Sequence, residues 1–139
     1  MSTNTALLQD RAAQPAKPWI LWTGRALSTL PILMLLFSAS MKLSHQPQFV
    51  EMFTKKFGFP EAALTPIGLL EILCVLLYAV PRTAALGALL LTGYLGGAIV
   101  THLRIGEAFA PELVLGVLVW LGLYLREPRL RALLPVRQS

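Results

Sequence analysis

Charge is scarce in this chain. Charged residues make up 14% of its 139 positions, against roughly 25% in an ordinary soluble domain. Cysteine is nearly absent, with Cys74 standing alone. An intramolecular disulfide and dithiol chemistry of the Cys-x-x-Cys kind are therefore excluded, and a lone thiol inside an apolar run reads as a buried structural residue. Histidine occurs twice, at His45 and His102, without the His-x-x-x-His spacing that favours a metal site. There is no nucleophile–base pair, Gly-rich phosphate loop or nucleotide motif, which argues against a self-sufficient hydrolase or kinase.

What the chain has instead is apolar length. Hydrophobic residues are 55% of the sequence and mean hydropathy is +0.64. Crossing ~30 Å of hydrocarbon takes ~20 helical residues at 1.5 Å rise each. Four runs come close to that length, at about 19–43, 64–80, 83–103 and 109–125. The expected fold is all-α: an integral membrane four-helix bundle over 19–126, with a flexible tail at 1–18 and a basic tail at 127–139. Pro31 should kink the first span, because it lacks the backbone N–H. Leu27–Phe37 followed by Ser38-Ala39-Ser40 resembles the core of a signal peptide. Apolar sequence already begins at Trp19, however, and the positive region is long, so an uncleaved span is expected.

The connection Ser44–Ala63 differs in kind. Phe49, Met52, Phe53 and Phe57 recur at helical spacing opposite Glu51, Lys55 and Lys56. That pattern predicts a short interfacial helix between the first two spans, followed by a turn at Gly58-Phe59-Pro60. Its apolar stripe is expected to pack on the bundle or on lipid.

Net charge is +5 and the isoelectric point is near 9.9. The basic residues flank apolar runs instead of forming a stripe with interleaved aromatics, so the bilayer and its anionic lipids are the expected partner and nucleic acid is not. Arg11, Lys17, Arg25, Arg82, Arg126, Arg129, Arg131 and Arg137 fall on one side of the spans. Lys42, Lys55, Lys56 and Arg104 fall on the other. This excess places both termini in the cytoplasm. Trp19, Trp22, Tyr78 and Tyr124 then form an aromatic belt at the same interface. Arg25 reaches that interface by snorkelling.

Glu71 is the lone charge in Leu64–Val80, where a carboxylate costs ~2.5 kcal/mol or more at mid-bilayer. Topology and helical rise put it ~10 Å below the outer boundary. Lys42 ends the first span at that boundary, Thr101 and His102 end the third, and Glu112 opens the fourth. Lys42, Glu71, Thr101, His102 and Glu112 therefore converge as a candidate ligand-binding cluster. One reading is structural: Lys42 and Glu71 clamp two helices, with Ser38 helping to satisfy the lysine. The other is a polar pocket, where Glu71 binds or relays protons, or Lys42 and His102 donate to a carbonyl ligand such as a quinone. Both histidines lie at the boundary, not within the bundle, which argues against haem. Gly93 and Gly97 form a small-xxx-small pair expected to serve close helix packing, within the chain in preference to a dimer.

The stretch Pro81-Arg82-Thr83-Ala84-Ala85-Leu86-Gly87, with Leu91-Thr92-Gly93-Tyr94-Leu95-Gly96-Gly97-Ala98 and Thr101-His102-Leu103-Arg104, resembles the DoxX-like family of small bacterial membrane proteins. Ser38-Ala39-Ser40-Met41-Lys42-Leu43, Gly68-Leu69-Leu70-Glu71 and the ending from Trp120 to Arg131 agree with it. The resemblance implies a four-helix bundle in the bacterial inner membrane and a link to quinone-coupled redox complexes. Lys42, Glu71, Thr101 and His102 are positions shared with the family pattern. Three functions stay open: a subunit or accessory of a quinone-linked redox system, a non-catalytic assembly or stabilising partner of another membrane protein, and a small proton-coupled transporter. Four short spans leave little room for a transport pathway unless the chain oligomerises.

Overall fold

The computed structural model describes residues 2–13 and 17–133. The parts of the two expected tails at 1, 14–16 and 134–139, Arg137 among them, lie outside the described residues. The described chain folds as helix α1 (Ser2–Ala13), α2 (Pro18–Leu43) and α3 (Pro47–Glu51), the last continued by a π-helical turn over Met52–Lys56. A short 3-10 turn at Glu61–Ala63 leads into α4 (Leu64–Ala79), followed by α5 (Ala84–Arg104), α6 (Ala110–Arg126) and α7 (Pro128–Leu133). Among the described residues there is no strand.

Proline sets most of these boundaries. Pro18 and Pro47 open α2 and α3 from the first helical turn, where a missing N–H costs nothing. Val80 and Glu127 precede Pro81 and Pro128, and both leave the helical region, at ψ 124° and 101°. The proline ring crowds the residue before it out of the α conformation, so α4 and α6 end there. Pro31 does not break α2, which runs unbroken past it as a buried position.

α2 packs against α4 and α6, and α5 packs against the same two, so α2 and α5 occupy opposite corners of a four-helix bundle. Leu35, Cys74, Val75, Tyr78, Leu91, Val119 and Leu123 form its core, and Cys74 is the buried thiol expected. Outward-facing positions are also apolar: Leu33, Phe37, Leu69, Leu73, Leu89, Val100 and Val117 are all exposed. A soluble monomer rarely leaves so much contiguous apolar surface uncovered. α2, α5 and the helix from Glu61 through α4 are each long and apolar enough to cross a membrane. α6 has 17 residues, at the lower end of the ~17–25 that span hydrocarbon. The all-α membrane bundle is the fold expected, with helix ends within a residue or so of those read from the sequence.

The N-terminal segment differs. Ser2–Ala13 is a helix, not a flexible tail, and it lies against α7, which opens the C-terminal tail. The segment lacks an apolar stripe but is rich in good helix formers, and docking on α7 supplies the tertiary contact that propensity alone does not.

The bundle packs closely at the end where α2 begins and α6 finishes. A Cβ on Gly24 would sit 2.7 Å from the Arg126 amide nitrogen, and one on Gly87 would run into the Tyr78 backbone. Gly122 likewise has no room against Ser28. Between these crossings the Tyr78 hydroxyl donates to the Val119 carbonyl at 2.7 Å and lies 2.9 Å from Ser28 Oγ. Arg126 donates to the Tyr78 carbonyl at 2.7 Å and stacks over its ring. Gly93 and Gly97 do not serve this packing. Apart from their own helix, no atom lies within 4 Å of a Cβ placed on either, so the close contact expected within the chain is not made there.

Candidate functional site

At the opposite end, where α2 hands over to α3 and α5 to α6, the bundle forms a half-open cavity of about 560 Å³. The interfacial segment forms much of its wall. Phe49, Met52, Phe53, Phe57 and Phe59 all line it, and Phe53 and Phe59 stack at 4.9 Å between ring centres. Phe53 and Phe57 bury themselves beside Leu64, so the apolar stripe packs on the bundle. Arg104 at the end of α5 donates to the Phe57 carbonyl, and Lys56 pairs with Glu107 beyond α5. Gly58, at φ +75°, makes the turn that brings Phe59 back.

The polar groups enter from four helices. Lys42 Nζ lies 2.8 Å from Glu71 Oε2 and donates to Ser38 Oγ at 2.6 Å. Side-chain exposure is 8% for Lys42 and 1% for Glu71, so this ion pair is withdrawn from solvent. The ammonium also faces the rings of Phe49 at 5.3 Å and Tyr94 at 6.0 Å. Such contacts help to offset the desolvation that a buried charge incurs. Glu71 Oε1 has no hydrogen-bond partner.

Across the cavity, His102 Nε2 lies 3.5 Å from Glu112 Oε1. Its Nδ1 is 2.8 Å from the Ala98 carbonyl, an atom that only accepts, so Nδ1 carries a proton. The Phe57 ring meets the imidazole edge-on at 5.1 Å. Glu112 Oε2 is buried without a hydrogen-bond partner. Thr101 lines the cavity too, but its hydroxyl donates to the Gly97 carbonyl of its own helix at 2.8 Å.

All five residues of the expected cluster therefore line one cavity, together with Gly93 and Gly97. Of the two donors expected to face a carbonyl ligand, Lys42 retains one N–H beyond its two partners, while His102 Nδ1 is committed to Ala98. His45 stands apart, with Nε2 at 3.0 Å from Thr65 Oγ1 and Nδ1 at 3.6 Å from Glu61. Tyr94 was not among the expected site residues. It shares the α5 face of Gly97, Ala98 and Thr101 at helical spacing, and that periodicity was the signal available. Gly93 and Gly97 act here by omission: the missing side chains leave volume for the cavity.

The chain belongs to the DoxX-like family, whose model matches residues 26–122. That span runs from α2 into α6 and includes every residue of the polar cluster. No curated protein and no solved structure matches the chain.

Proposed function

We propose that this DoxX-like protein holds a quinone-type head group in the cavity, as a subunit or accessory of a quinone-linked redox system. One observation carries the reading. A cavity of about 560 Å³ with aromatic walls has the Lys42–Glu71 pair on α2 and α4 facing the His102–Glu112 pair on α5 and α6. Mostly apolar walls with a few converging polar groups are the usual make-up of a small-molecule site. Phe49, Phe53, Phe57 and Phe59 suit a flat ring, and the remaining Lys42 N–H suits a carbonyl oxygen. In this reading the protein sits in the bacterial inner membrane with its termini in the cytoplasm and the cavity near the outer leaflet.

Mass spectrometry of small molecules that co-purify in mild detergent tests the reading, followed by titration with a short-chain quinone. Wild type is expected to bind the quinone, and Glu71→Gln and His102→Ala to bind it more weakly. Unchanged affinity in both variants removes the site assignment, and no binding to wild type removes the reading itself.

The near-complete burial of Glu71 favours a second reading, in which the ion pair clamps a non-catalytic partner subunit. There the same substitutions lower stability and leave the purified protein with no small molecule to lose.

A further inference from the structure

The hydrogen-bond inventory of the cavity is lopsided at the wall that carries Glu112. Lys42 has three N–H groups, and Ser38 and Glu71 take two. The Thr101 hydroxyl is taken by Gly97 and the His102 Nδ1 proton by Ala98. On the α5–α6 wall the donors are used up and a carboxylate oxygen is left over, whereas on the α2–α4 side a Lys42 N–H and the Ser38 and Tyr94 hydroxyls remain beside Glu71. Glu112 Oε2 and Glu71 Oε1 are buried with no hydrogen-bond partner. The Tyr94 phenol lies beside Glu71, but no donor among the described residues serves Glu112 Oε2. Buried carboxylate oxygens of this kind are costly to leave unpaired, more so than the mean value of the bond they lack.

We infer that the cavity prefers the reduced, hydroxyl-bearing form of an aromatic ligand, a hydroquinone over its quinone, with Glu112 accepting from a ligand hydroxyl. The inference rests on the quinone-site reading above and goes beyond it by assigning the redox form. Oxidised and reduced rings have nearly the same shape, so the walls cannot tell them apart. They differ in hydrogen bonding: a quinone offers two acceptors, and a hydroquinone offers two donors. An α5–α6 wall whose donors are used up and whose Glu112 oxygen is unpartnered favours the second. An organic ammonium would also bring donors, but Lys42 already sits at Glu71 and repels a second cation. The neutral diol meets the same need without that repulsion.

The test uses the full chain in lipid nanodiscs, titrated calorimetrically without oxygen with a short-chain benzoquinone and with its hydroquinone. The hydroquinone is expected to bind about tenfold tighter or more, the scale of one recovered hydrogen bond to a charged acceptor. A tenfold preference raises the potential of the bound couple by about 30 mV, a second readout. Glu112→Gln supplies an amide donor and should bring the ratio close to one, while Glu112→Asp keeps the carboxylate and should keep the preference. Equal affinities in wild type, or a tighter quinone, overturn the inference and leave the quinone site standing. Failure of both ligands to bind overturns the site reading and the inference with it. A ratio that survives Glu112→Gln overturns the role given to Glu112. The wild-type ratio decides the preference even if a variant fails to fold.

Discussion

Lys42 and Glu71 lie 29 positions apart in sequence, and their side chains meet at 2.8 Å. The contact ties the last turn of α2 to the middle of α4, and Ser38, one turn back along α2, takes a second lysine proton. Both side chains are buried, Glu71 almost completely. The pair is therefore coupled: each charge is tolerable because the other is present, and each becomes a burden when its partner is removed.

Single removal is expected to cost more than joint removal. Glu71→Leu strands the ammonium and should destabilise by about 3–5 kcal/mol, and Lys42→Met should do the same from the other side. The double variant should regain most of that loss. Unfolding in mild detergent, read as a double-mutant cycle, measures the coupling. Losses that simply add would show that the two charges act independently.

The glycines of α5 should fall into two classes. Gly87→Ala drives a methyl into the Tyr78 backbone and should cost about 1–3 kcal/mol, as overpacking does. Gly93→Ala and Gly97→Ala meet nothing within 4 Å and should match wild type or exceed it by up to about 1 kcal/mol, the helix-propensity gain. Leucine at Gly93 or Gly97 should then weaken ligand binding with stability kept, because it fills the cavity. Thermal midpoints and the quinone titration report the two effects separately. Equal damage at all three glycines would restore the close-contact role for Gly93 and Gly97.

The aromatic wall should depend on its straps. Arg104→Gln removes the donor to the Phe57 carbonyl, and Lys56→Gln removes the partner of Glu107. Hydrogen exchange at residues 50–59 is expected to quicken in both variants, with α4 and α6 unchanged. Exchange that stays at wild-type rates would show that the burial of Phe53 and Phe57 holds the segment without the straps.

The proposed orientation has a direct test. With Cys74 changed to serine, Gln48→Cys should react with an impermeant thiol reagent applied to the outside of intact cells. Arg129→Cys should react only after permeabilisation. The reverse pattern would turn the bundle over and place the cavity near the cytoplasm.

Much of this molecule was legible before folding was considered. Glu71 could be assigned a depth because an α-helix advances 1.5 Å per residue, and the apolar run around it has two readable ends. Lys42, Thr101, His102 and Glu112 could be placed at its level by the same counting. The breaks at Pro81 and Pro128 follow from local sterics. Other features were not legible, since they depend on which way each helix is turned about its axis. Gly93 and Gly97 look as suited to close contact as Gly24, Gly87 and Gly122 do. The neighbours alone decide, and they press on the second group. Tyr94 sits on the cavity face of α5 for the same reason.

The sequence by itself determined the helices, their order and the level at which acid and base meet, because length, hydropathy and helical rise are properties of a single segment. Only the tertiary structure decided that the interfacial aromatics wall a cavity, that His102 gives its Nδ1 proton to Ala98, and that Glu112 keeps an oxygen without a donor. Those outcomes depend on the rotation and spacing of helices packed against one another, which no segment specifies alone.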